Sequence, residues 1–138
     1  MERYTLVFGK TQGLAKVICN TPNSATSAYG EDVTNEFRKI ESALIKKYGK
    51  PTSSYDFLRQ GSIWKEQRYW TMGLLKGERN LLSVWSTKKG VKLPENLQGI
   101  LVKAVAVDTE KFYIMVSYEF NNFNEVMEEI QAKKAQGL

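Results

Sequence analysis

The 138-residue sequence contains no histidine and a single cysteine. Without an imidazole there is no Ser-His-Asp or Cys-His nucleophile system, no zinc site that uses histidine and no facial triad for non-haem iron. One thiol, Cys19, cannot close an intramolecular disulfide, and it is too few for a cysteine-rich zinc ribbon or an iron–sulfur cluster. A nucleophilic thiol needs a basic partner and exposure; Cys19 ends the apolar run Val17-Ile18-Cys19 and reads as a buried strand residue. The expectation is a chain with no cofactor and no structural transition metal.

Long apolar runs are missing too. The richest stretches, Leu81 to Trp85 and Gly99 to Val107, are broken by Ser83 and Lys103, well short of the ~18 residues of a membrane span. The opening Met1-Glu2-Arg3-Tyr4 lacks a basic segment followed by an apolar one, so no signal peptide is visible. The compartment reads as cytoplasmic by default, or exported had a signal been removed ahead of Met1. Hydrophobic residues at 42% and charged residues at 25% are ordinary for a globular protein, and the length suits one domain over residues 1–138.

The net charge of +5 is uneven: residues 61–98 hold seven cations and three acids, whereas residues 99–138 hold four and six. The basic segment also contains rings. Trp64, Tyr69, Trp70 and Trp85 alternate with Lys65, Arg68, Lys76, Arg79, Lys88, Lys89 and Lys92. Single-strand nucleic-acid binders combine stacking rings with such cations, which makes Trp64, Arg68, Tyr69, Lys88, Lys89 and Lys92 the candidate binding residues. The competing reading makes Trp70 and Trp85 core residues on facing strands and the cations their solvated side. No ribonucleoprotein motif of the Lys/Arg-Gly-aromatic kind is present.

Two enzymatic patterns are suggested elsewhere in the sequence. Gly9-Lys10-Thr11 resembles the tail of a phosphate-binding loop, but Tyr4 stands where the first glycine belongs and a strand pattern follows instead of a helix. Asp56, Glu66 and Glu78 lie among the central aromatics, a combination that would suit a sugar site if two carboxylates faced each other. Glu125, Glu128 and Glu129 read as a charged helix face.

The hydrophobic pattern organises the chain. Tyr4, Leu6 and Phe8 alternate, and Leu14 to Cys19 follow a glycine-bounded loop, which reads as a hairpin. Asn20 to Gly30 is a polar loop. Val33, Phe37, Ile40, Leu44 and Tyr48 form one helical stripe over Asp32 to Tyr48, with Asp32 as N-cap, Lys46 and Lys47 in the last turn, Gly49 as the left-handed terminator and Pro51 beyond it. Strands are expected at Ser53 to Arg59, Gln67 to Leu75, Asn80 to Ser86, Ile100 to Val107 and Phe112 to Tyr118, the last two as an antiparallel hairpin. A second helix follows from Phe123 to Ala135, opened by an Asn122/Glu125 capping box. The expected fold is α+β: an antiparallel sheet of about five to seven strands in β-β-α-β-meander-α order, with two helices packed on one face. The function that this favours is a non-enzymatic binding or interaction module for a protein or small ligand. Single-strand nucleic-acid binding is the second reading and a carboxylate-dependent hydrolase the third.

Overall fold

The computed structural model describes residues 3–10, 12–94 and 96–137. Thr11, the last residue of the Gly9-Lys10-Thr11 string, lies outside the described residues. The elements are β1 (Arg3–Gly9), β2 (Gly13–Asn20), β3 (Ser24–Ala25), α1 (Glu31–Tyr48), β4 (Ser53–Leu58), α2 (Trp70–Leu75), β5 (Arg79–Ser86), β6 (Leu97–Ala106), β7 (Lys111–Phe120) and α3 (Phe123–Gln136). The strands form one antiparallel sheet in the order β1-β2-β7-β6-β5-β4, and the short β3 also pairs with β7. The α+β class is as the pattern requires.

Alternation along the strands divides the sheet into two faces. Leu81 and Trp85 of β5, Ile100, Val102 and Ala104 of β6, and Phe112, Ile114 and Val116 of β7 point one way, into a core with Val33, Phe37 and Leu44 of α1. The expected stripe therefore faces the sheet. Helix α1 lies over β6 and β7. Its C-terminal turn ends at Gly49 with a φ of 86°, and the Trp85 indole N–H donates to the Gly49 carbonyl at 2.7 Å, which ties the helix end to the core. Lys46 and Lys47 occupy the last turn, where they oppose the negative helix end.

The other end of α1 differs from expectation. The N-cap is Gly30 in a left-handed conformation with no side-chain cap, and Asp32 sits inside the first turn. The reason is Trp70. A Cβ on Gly30 would stand 2.0 Å from the Trp70 ring, so this cap position has no room for a side chain.

Gln67 to Leu75 is not a strand. It is a 3-10 turn, Gln67–Tyr69, running into α2. The period-2 reading failed because Trp70, Thr71, Gly73 and Leu74 are the buried set, a helical spacing compressed into two turns. Trp70 and Trp85 are both core residues, but Trp70 reaches the core from a helix rather than from a facing strand.

Helix α3 docks on β1 and β2 through the buried Val126. The extra residue of a bulge belongs to β2: Val7 pairs with Lys16 and Phe8 with Leu14, so β1 stays regular. Gly9 therefore shares a face with Val7, the one opposite α1, and a Cβ on Gly9 would meet Val126 at 2.8 Å. That places α3 against the face that α1 leaves free, which corrects the expectation of two helices on one side. The Asn122 capping box does not form: the Asn122 amide donates to the carbonyls of Gln12 and Leu14, at 2.7 and 3.3 Å, and pins the β1–β2 hairpin instead.

Candidate binding surfaces

The residues that the sequence marks as ring-and-cation partners separate into two groups. Trp64 and Tyr69 lie in the connection between β4 and β5 and meet edge to face, 5.4 Å between centroids. The Arg68 guanidinium stacks on Tyr69 at 4.8 Å, and its Nε donates to Glu66 Oε2 at 2.7 Å. Both rings are half-buried. The backbone N–H of Trp64 donates to Ser62 Oγ at 3.1 Å, which turns the chain so that the rings can meet. Lys88, Lys89 and Lys92 are exposed and follow the other end of β5, Lys88 and Lys89 in a 3-10 turn and Lys92 in the loop beyond. Eight residues of strand at ~3.4 Å each separate the two groups by roughly 24 Å along β5.

The three central carboxylates do not face one another. Asp56 pairs with Arg38 at 2.8 Å, Glu66 with Arg68 and Glu78 with Arg59 at 3.2 Å. Each acid has its own arginine. A fourth carboxylate, Glu41, is the buried acid among the described residues. Its Oε1 accepts from Arg38 Nη1 at 3.0 Å, its Oε2 accepts a short hydrogen bond from Ser83 Oγ, and Ser83 Oγ lies 3.3 Å from Ser54 Oγ. Asp56, Arg38, Glu41, Ser83 and Ser54 thus form a chain that fastens α1 to β4 and β5. Ser83 is 1% exposed, so no substrate reaches its hydroxyl. Glu41 follows Phe37 by four residues and precedes Leu44 by three, which puts it on the buried stripe; that spacing was the available sign.

Beside this network, the Arg79 guanidinium lies 5.2 Å from the Trp70 ring. Burial holds its pKa below the usual arginine range, and the Asp56 charge opposes that shift. Among the described residues no group of three or more acids and cysteines is placed to hold a metal ion.

Several surfaces remain open, among them clefts of about 680 Å³ beside Asn23 to Ala28 and about 530 Å³ beside Gln12 and Phe120, and two bear on the candidate residues. On the α1 side the helix covers β6 and β7 but stops short of β1. Leu6 pairs with Val17, and Val17 with Tyr118, so this shelf continues the core face outward. Tyr4 is 63% exposed, Leu6 49%, Phe8 55% and Leu14 36%. On the opposite face, a cleft of about 290 Å³ is lined by Lys16, Lys88, Ser86, Gln98, Ser117 and Glu119, among others. Gln98 Nε2 donates to Glu119 Oε1 at 3.0 Å, and the Lys16 ammonium sits 5.1 Å from the Phe123 ring. Of the three lysines singled out in the sequence, Lys88 alone lines this cleft.

A scan against protein-family models finds no match, and searches of curated proteins and of solved structures find none either. Sequence reasoning passed over the shelf because Tyr4, Leu6 and Phe8 alternate as core strand residues do. Only the position of α1 leaves them bare.

Proposed function

We propose that this chain is a non-enzymatic interaction module, and that the β1–β2 shelf receives a protein partner presenting aliphatic and aromatic side chains. The observation that carries this reading is the exposed row Tyr4, Leu6 and Phe8, joined by Leu14. Single exposed apolar residues are commonplace, but a contiguous group on one face of an edge hairpin is the kind of patch that marks a contact surface. The hydrolase reading loses support from the pairing of Asp56, Glu66 and Glu78 with separate arginines. Nucleic-acid binding loses support from the engagement of Arg68 by Glu66 and from the partial burial of Trp64 and Tyr69, whose rings meet edge to face.

Site-specific photo-crosslinking tests the proposal. A photoreactive phenylalanine analogue is placed at Leu6 in one variant and at Lys89 in another, and both are irradiated in the producing cells. Discrete protein adducts at Leu6, absent at Lys89, are expected. Adducts at neither position, or equal labelling at both, would sink the assignment of the shelf.

A further inference from the structure

The shelf ends at a sheet edge. Among the described residues β1 pairs with β2 alone, so the outer peptide groups of a seven-residue strand have no partner strand. Long, regular, apolar edges are what natural sheets normally avoid, by charge, proline or bulges. The other edge, β4, also exposes rings, Tyr55 at 42% and Phe57 at 47%, but it carries a charge between them, Asp56, and pairing of β4 with itself centred on that residue would oppose two acids. β1 has no charge between Arg3 and Gly9, and the bulge of the hairpin falls on β2.

We infer that β1 pairs with β1 of a second copy of this chain, antiparallel about a two-fold axis at Leu6, which joins the two sheets into one. This rests on the reading of the shelf as a contact surface and names its occupant. The residues of β1 fit themselves in that register. Tyr4 of each copy meets Phe8 of the other, Thr5 meets Val7, and Leu6 meets Leu6. Aromatic thus faces aromatic and β-branched faces β-branched, the pairs that antiparallel ladders favour. Arg3 comes opposite Gly9, so no like charges oppose.

The charges also complement. Arg3 and Gly9 share the face opposite α1, where α3 brings Glu129 against Gly9. Glu129 Oε1 accepts from the Lys10 backbone N–H at 3.0 Å, while its buried Oε2 has no hydrogen-bond partner among the described residues. In the single copy the Arg3 guanidinium lies 5.5 Å from the Tyr113 ring and 3.4 Å from Asn23 Oδ1, so the register brings the Arg3 backbone opposite Gly9 and the guanidinium reaches the partner copy's Glu129 only by swinging outward from that contact. The interface is small: the exposed parts of Tyr4, Leu6 and Phe8 amount to roughly 350 Å² per copy, and edge-to-edge pairing covers only their flanks, so with the backbone edges the pair buries less than the ~1,000 Å² of a stable specific interface. A weak, concentration-dependent dimer follows, monomeric at ~1 µM and paired at ~100 µM.

Sedimentation velocity across that range, with the chain of residues 1–138, reads the mass directly. Leu6→Lys sets two ammonium groups against each other at the axis and should raise the dissociation constant at least about tenfold, with unchanged circular dichroism because Leu6 is half-exposed. A second arm needs no loss of folding. Directly opposed antiparallel residues have Cα atoms ~4.5–5.5 Å apart, within the span of a disulfide. Leu6→Cys in a Cys19→Ser background, treated with diamide as the oxidant, should therefore form a disulfide-linked pair, whereas Phe57→Cys on β4 should not. A monomer at ~100 µM overturns the inference. So does a dimer that Leu6→Lys leaves intact and that Leu6→Cys fails to link. Photo-adducts at Leu6 to other proteins, with the purified chain monomeric, would remove the second copy and leave the shelf as a contact surface.

Discussion

At the scale of single residues, Gly30 and Trp70 are the most tightly interlocked pair. Gly30 has a φ of 72°, a conformation that costs a side-chain-bearing residue about 1–2 kcal/mol, and the added Cβ would overlap the indole. Gly30→Ala is expected to cost about 2–4 kcal/mol in denaturant unfolding. Gly90→Ala, also left-handed at a φ of 97° and with nothing within 4 Å of the Cβ, should lose only the conformational share. Equal losses for both would show that Trp70 yields to the new methyl. Tyr118 gives a pH-dependent counterpart. Burial raises its phenol above its ordinary value, and Tyr48 and Cys19 add to the rise; burial also raises the Cys19 thiol. A raised pKa means that the folded chain holds its proton longer than the unfolded chain does. Stability is therefore whole below the unfolded value, near 10 for tyrosine, and falls as the pH climbs through the folded one. Unfolding measured between pH 8 and 11 should show that decline, and Tyr118→Phe should flatten it.

At the scale of elements, α1 carries the argument for the fold. Its stripe was plain in the sequence, and Phe37 and Leu44 are buried against the sheet, with Ile40 packed at the margin. Leu44→Ala is expected to cost about 2–5 kcal/mol, the range for truncating a buried leucine, and a melting temperature equal to that of the unmodified protein would refute the packing. The short helix α2 was not legible. Six residues give fewer than two turns, too little for a 3.6-residue period to stand out against the alternation of Arg68, Trp70 and Met72. Its helical state comes from burial of Trp70 and Leu74 against β5 and β6. The failed cap at Asn122 has a similar origin, since long-range bonds to Gln12 and Leu14 outcompete the local one.

At the scale of the whole molecule, the charge that was uneven in sequence is dispersed in space. The segment 61–98 spans both ends of β5, so its cations form no single field. Titration with single-stranded DNA or RNA at ~150 mM salt should give nothing tighter than roughly 10⁻⁴ M, the weak end of non-specific binding. A sub-micromolar, salt-sensitive isotherm that disappears when the three lysines become glutamine would restore the nucleic-acid reading. No helix among the described residues is long and apolar enough to cross a membrane.

What the sequence determined by itself was local. Period and punctuation placed α1, the β1–β2 and β6–β7 hairpins and the α3 segment, because helix stripes, strand alternation and glycine turns are written within a few residues of one another. Composition alone set aside histidine-based sites and an intramolecular disulfide. The tertiary structure decided which of those elements share a face and which surfaces are left over. The same alternation makes Ile100 and Val102 core and leaves Leu6 and Phe8 bare; the difference is where α1 ends its coverage. Likewise Glu41 and Asp56 are both acids near apolar residues, yet only the approach of α1 to β4 and β5 joins them through Arg38. Burial and pairing are properties of neighbours distant in the chain, and those neighbours meet only when the sheet is assembled.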